Sequence, residues 1–185
     1  MLITSCKNQK GFTLIEIAIV LIIIGLLIGG VLKGQSMIQN ARVKRLVSDV
    51  DGLRAAALSY QDRFRMLPGD ENDPNTPTGD TNNGDNNGRF NENTGWVMQD
   101  LHLALILPGS GTTLPTHGFG GTLSFQYNNI GGSGNRNHII ATNVPADVCQ
   151  EIDTKYDDGT QNAGDIRGSA AYTAGTIIPN FAWRY

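Results

Sequence analysis

Residues 12–32 read "FTLIEIAIVLIIIGLLIGGVL", apolar almost without interruption and therefore apolar on every side of any helix they form. At about 1.5 Å per residue such a helix reaches roughly 31 Å, close to the hydrocarbon thickness of a bilayer. The pattern changes further along. Val43, Leu46, Val50, Leu53, Ala57, Tyr60, Phe64 and Leu67 recur every three or four positions, with Arg42, Lys44, Arg45, Asp49, Asp51, Arg54, Asp62, Arg63 and Arg65 between them. This spacing predicts one long helix that leaves the membrane and then presents a narrow apolar stripe. A coiled-coil partner would cover such a stripe, and so would a small sheet of the same chain. Pro68 and Gly69 in "LPGD" end the helix.

Residues 71–93 are dense in Asn, Asp, Gly and Pro, a loop composition whose length is unusual for a compact domain unless something ties it down. "NTGWVMQDLHLALILPGS" then predicts a short helix. Asn93 or Thr94 caps it, Trp96, Val97, Leu101, Ala104 and Leu105 form its apolar face, and Pro108-Gly109 ends it. "GFGGTLSFQYNN" and "NRNHIIATNV" predict two strands, bounded by glycines and asparagines and placed as antiparallel neighbours. A helix follows from Pro145, with Val148, Ile152 and Tyr156 four apart and Gly159 as its stop. "DDGTQNAGDIRG" and "GTIIPNFAWRY" predict turns and short strands. The class is α+β: a long N-terminal helix, half membrane and half amphipathic, on a small antiparallel sheet with short helices and long loops.

With 185 residues the chain holds one folded domain besides a membrane-length helix. Its net charge of −3 is unevenly placed: residues 33–65 carry seven Lys or Arg against three acids, and residues 66–185 five against thirteen. The two parts can attract each other, within a molecule or between copies, or simply remain solvated faces. Cys6 and Cys149 are too few for a disulfide framework, and Cys149 reads as a small buried apolar residue.

A cleaved secretory signal would need residues 12–28 as its apolar core and Gly29-Gly30 as its cut, but Glu16 lies inside that core and helical periodicity continues beyond the glycines. The basic residues flanking the apolar run, Lys7 and Lys10 against Lys33, Arg42, Lys44 and Arg45, would on count alone put the C-terminal part in the cytoplasm. Lys10-Gly11 followed by "FTLIE" resembles the prepilin signal of type IV pilins and type II secretion pseudopilins: a basic leader, glycine before the cut, phenylalanine after it, and glutamate as fifth mature residue. The resemblance implies a pilin-like fold and cleavage after Gly11 by prepilin peptidase, which methylates the new amine of Phe12. It also implies that the C-terminal domain lies outside the inner membrane, against the charge count. Residues 1–11 are then the leader, 12–32 the membrane and filament-core helix, 33–67 its amphipathic continuation, and 68–185 a periplasmic or extracellular globular domain. The function implied is that of a structural subunit of a pilus or pseudopilus, whose partners are other such subunits, the peptidase, the assembly platform and the membrane.

Cleavage gives Glu16 a physical role. It lies four residues, about 6 Å, inside the new terminus, where an ionised group costs less than at the bilayer centre. A neighbouring subunit's Phe12 amine can pair with it, and alignments that bury the charge alone are penalised, which sets a register. A glutamate that merely snorkels to the interface is the plainer alternative. Many pilins carry a proline near the twenty-second mature residue; Lys33 stands there, and Gly25, Gly29, Gly30 and Gly34 are the residues able to loosen the helix instead.

Within the loop, Asn83, Asp85, Asn87, Gly88 and Phe90 follow the spacing of a calcium loop, although Thr94 stands where the bidentate carboxylate belongs, so Glu92, Asp80 or a distant residue must supply it. Asx turns explain the same composition. His102, His117 and His138 have no ligand spacing, "GFGG" lacks the lysine of a phosphate loop, and Asp157-Asp158 precedes a turn glycine, so no enzyme is read here. The basic stretch is interleaved with acids, and no specific nucleic acid is expected as a partner. The competing function is a monomeric bitopic inner-membrane protein with an external ligand- or calcium-binding domain. A single cysteine in the mature chain leaves no C-terminal disulfide loop, which tilts the resemblance toward a pseudopilin or minor subunit.

Overall fold

The computed structural model describes residues 11–73, 75–82, 84–90, 94–132 and 134–185. Its elements are α1 (Leu14–Phe64), α2 (Thr94–Leu103), β1 (Leu123–Asn128), β2 (Arg136–Pro145), α3 (Ala146–Tyr156), β3 (Ile166–Gly168) and β4 (Ile177–Arg184). The fold is α+β and pilin-like, with one long helix and an antiparallel sheet in the order β1-β2-β4-β3. The chain divides into two compact units, Met1–Ala41 and Arg42–Tyr185.

In the first unit the helix has no covered face. Leu14 is 92% exposed and Leu26 73%, and no residue of the most apolar window, of mean hydropathy 2.9, is buried. Gly25, Gly29, Gly30 and Gly34 are all helical. Burying one Leu or Ile side chain is worth roughly 1.5–3 kcal/mol, so such a surface in water would be strongly unfavourable. The helix is long and apolar enough to cross a membrane.

In the second unit the same helix is amphipathic, and its stripe is buried within the chain. Val43, Leu46, Val50, Leu53, Ala57, Tyr60 and Leu67 share one core with Leu123, Phe125, Ile139, Ala141, Val144, Ile178, Phe181 and Trp183 of the sheet. Phe64 is only partly buried, stacked on Tyr60 at 4.5 Å between ring centroids. The sheet therefore satisfies the stripe and leaves no seam for a coiled coil. Arg45, Arg54 and Arg65 pair with Asp49, Asp51 and Asp62 of the helix itself, while Arg63 and Arg54 also donate to the carbonyls of Ala104 and Arg184. These four arginines thus meet acids of their own segment and backbone carbonyls.

Strands β1 and β2 pair as neighbours from Leu123↔Ala141 to Asn128↔Arg136, and β4 inserts on the other side of β2, from His138↔Arg184 to Pro145↔Ile177. Ile139 and Ala141 face the main core, and Ile140 packs on the opposite face with Ala182 and Ile130. Asn143, with φ of +56°, shifts this alternation so that Val144 also reaches the main core.

All three helices differ from expectation: α1 ends at Phe64, where Arg65 takes φ +65°, and not at Leu67. Helix α2 stops at Leu103, well before Pro108. Leu105 N–H donates to His102 O and Ile106 N–H to Leu101 O, both at 3.0 Å, closing a Schellman turn around Leu105 at φ +59°. Leu105 is consequently 89% exposed and off the apolar face, where Met98 joins Val97, Leu101 and Ala104; Trp96 is half-buried. In α3, Val148 and Ile152 are buried as expected, but Cys149 and Asp153 complete that face and Tyr156 turns outward, 48% exposed.

Candidate functional site

The helix N-terminus is built by "TLIE". Thr13 precedes the first helical residue, and its hydroxyl oxygen accepts the Glu16 backbone N–H at 3.3 Å. Glu16 Oε2 reaches back to accept the Thr13 N–H at 2.7 Å and the Thr13 hydroxyl at 2.8 Å. This is a reciprocal capping box, in which a threonine and a glutamate three residues later satisfy helix-end donors that would otherwise lack partners. The carboxylate is turned toward the start of its own chain. Gly11 has open space around its Cα, and Phe12 is 83% exposed. The residues singled out for cleavage and methylation are thus both accessible.

The acidic loop is held by residues that sequence spacing did not single out. Asp70, in "LPGD", accepts the Asn87 N–H at 3.0 Å and the Gly88 N–H at 2.7 Å through its carboxylate, and the Asn86 N–H at 2.8 Å through its carbonyl. Gly84 donates to Glu71 O at 2.6 Å, and a Cβ on Gly84 would lie 2.4 Å from the Asp70 backbone, so only glycine fits there. Asn137 of β2 accepts the Phe90 N–H and donates to Gly88 O, both at 2.9 Å, seating Phe90 against Phe125 and Tyr185. These bonds supply the tether that so long a loop requires.

Of the residues read as calcium ligands, Asn83 and Glu92 lie outside the described residues. Asp85 and Asn87 are brought together, but the Asn87 side-chain amide donates to Asp85 Oδ2 at 2.7 Å, and both residues are exposed.

Carboxylates converge instead behind that loop. Glu71, Asp80 and Asp100 are 1%, 5% and 0% exposed, and one oxygen of each lies within 4.8 Å of the others. Asp100 sits on the buried face of α2 and accepts the Gly69 N–H through Oδ2. Glu71 Oε2, Asp80 Oδ2 and Asp100 Oδ1 are buried without a hydrogen-bond partner. Burial first, then the charge of Asp100 and its side-chain interaction, pushes the Glu71 carboxyl well above its ordinary range; burial and Asp80 raise that of Asp100 too, against the opposing hydrogen bonds of Glu71 and the Gly69 N–H. Positions 71, 80 and 100 form no short motif; Asp80 is already a candidate calcium carboxylate by sequence, and the fold sets Glu71 and Asp100 beside it.

A second acidic group, Asp153, Asp157 and Asp158, is fully employed in structure. Asp153 accepts the Tyr172 hydroxyl at 2.8 Å and the Gly159 N–H at 3.0 Å, Asp157 Oδ2 takes the Asp165 and Ile166 amides, and Asp158 accepts from Thr160. The three histidines stay apart: His102 bonds Gly111 O, His117 bonds Thr142 O, and His138 is buried in β2. "GFGG" is a turn, closed by Gly120 N–H to His117 O at 3.0 Å.

The prokaryotic N-terminal methylation motif matches residues 6–32, so the chain carries the prepilin signal of type IV pilins and pseudopilins at its N-terminus. No curated protein and no solved structure matches the chain. The motif, the apolar helix that it runs into and the pilin-like fold fit a pilin- or pseudopilin-like protein with one helix long and apolar enough to cross a membrane.

Proposed function

We propose that the chain is a structural subunit of a type IV pilus or type II secretion pseudopilus. Prepilin peptidase cuts it after Gly11 and methylates Phe12. Residues 12–32 hold it as a single-pass protein in the inner membrane, with residues 68–185 on the periplasmic side, until the helix packs with other subunits on the assembly platform. The observation that carries this reading is a methylation motif leading directly into a helix whose apolar surface is wholly exposed. Gly25, Gly29, Gly30 and Gly34 are the positions at which that helix loosens on packing, in place of the proline of many pilins.

Glu16 has two separable parts in this reading, the helix cap and the charge that pairs with a neighbour's Phe12 amine. Glu16→Gln keeps the cap, since glutamine serves at that position of a capping box, and removes the charge. Thr13→Ala keeps the charge and removes the cap at a cost of about 1 kcal/mol. Membrane fractionation and filament yield of the two variants are the measurement. The expected result is normal membrane insertion for both, with filaments lost at least tenfold in Glu16→Gln and largely retained in Thr13→Ala. Undiminished filaments in Glu16→Gln would remove the pairing role. A chain that stays in the membrane, forms no filament as wild type and binds a ligand externally would instead be a monomeric bitopic protein.

A further inference from the structure

Three carboxylates do not gather in a protein interior without a reason. Burying one ionised group costs several kcal/mol unless it is paired, and here three acids share one enclosed space. The described ion pairs involve none of them. Each contributes a buried oxygen that accepts no hydrogen bond: Glu71 Oε2, Asp80 Oδ2 and Asp100 Oδ1. Solvent does not reach these atoms either, so the missing partner has to be a cation or a shared proton.

We propose that Glu71, Asp80 and Asp100 form a buried calcium site that ties the turn after α1 and the loop around Asp80 to α2. The donors are all oxygens, the choice of a hard cation over zinc or copper. Their mutual spacing within 4.8 Å is one that calcium spans with bonds of about 2.3–2.6 Å. Calcium also accepts irregular carboxylate sets, whereas magnesium demands near-ideal octahedra and keeps its waters. Asp100 is held in place by the Gly69 N–H on its other oxygen, which fixes one ligand before the ion arrives. Asp80 is positioned by its turn, where its Oδ1 accepts the Asn82 N–H at 3.2 Å and leaves Oδ2 unused. The three ligands come from the turn after α1, the middle of the long loop and α2, so one ion cross-links the same segments that the Asn82–Gln99 and Gly84–Glu71 hydrogen bonds also join. The site is distinct from the Asn83, Asp85 and Asn87 spacing, and it stands whether or not the chain assembles into filaments.

The test is thermal melting and titration calorimetry of the full chain in detergent, stripped with a chelator and then given calcium at up to about 1 mM, the range of extracellular calcium modules. Wild type is expected to bind calcium and to melt at a higher temperature with it, with a smaller gain at about pH 5, where protons compete with the ion at Glu71 and Asp100. Glu71→Gln and Asp100→Asn are expected to lose the calcium gain. Glu71→Gln is also expected to melt higher than wild type in chelator at about pH 8, because it removes the cost of burying an ionisable acid and not a needed bond. The double variant Asp85→Ala, Asn87→Ala should keep the gain. The proposal is overturned by absence of calcium binding in wild type, by a gain that survives both Glu71→Gln and Asp100→Asn, or by a gain lost only in the Asp85/Asn87 variant. Magnesium raising the melt as much as calcium would overturn the choice of ion.

Discussion

The two halves of α1 have the same backbone and opposite surroundings. Residues 14–32 are apolar on all sides and exposed on all sides; residues 43–60 are apolar on one stripe, and that stripe is buried. Secondary structure is therefore no guide to what a helix does. The width of its apolar arc is: a stripe about 100° wide can be covered by one sheet, while an arc of 360° needs a solvent of lipid or a ring of other helices. The chain covers the stripe itself and leaves the full arc to its environment, which is the division of labour expected of a folded domain carried on an assembly and anchoring segment.

The contrast is most exposed to refutation at matched leucines. Leu46→Ala opens a cavity in the domain core and should lower its unfolding free energy by about 2–5 kcal/mol. Leu26→Ala, in the apolar half, should leave the domain melt unchanged within about 0.5 kcal/mol and show itself only in filament yield. Denaturant melts of both variants in detergent read the difference; equal losses would mean that the halves are not energetically separate. A smaller effect is expected from glycines. A Cβ added at Gly52 or at Gly30 meets no atom within 4 Å, so steric cost is absent at both. Gly52→Ala should raise domain stability by about 0.5–1 kcal/mol. Gly30→Ala should not move the domain melt and should reduce filament assembly, where loosening is needed.

Much of this arrangement was legible from periodicity. The stripe, the β1–β2 pair and the span of α3 follow from spacings that one element sets by itself, whereas the end of α1 at Phe64, with Arg65 at φ +65°, comes before the "LPGD" expected to set it. The rest depends on the closed fold. Leu105 has an apolar side chain at helical spacing, yet the Schellman turn at φ +59° puts it into solvent. Nothing in "GTIIPNFAWRY" says that β4 lies between β2 and β3. Asp70 reads as a turn residue, and only the structure shows its carboxylate holding Asn87 and Gly88. The Glu71, Asp80 and Asp100 group is assembled from three separate segments and has no linear signature. The capping box is the reverse case: Thr13 and Glu16 stand at its spacing in the sequence, where the same glutamate also belongs to the longer "GFTLIE" motif.

The central claim is that the chain is a processed prepilin-type subunit, and the mature N-terminus tests it most directly. Intact-mass measurement and N-terminal sequencing of the protein recovered from its native membrane should give a chain that begins at Phe12 with one added methyl group. A chain that retains the leader, or one that begins near residue 31 after loss of the apolar helix, would contradict it.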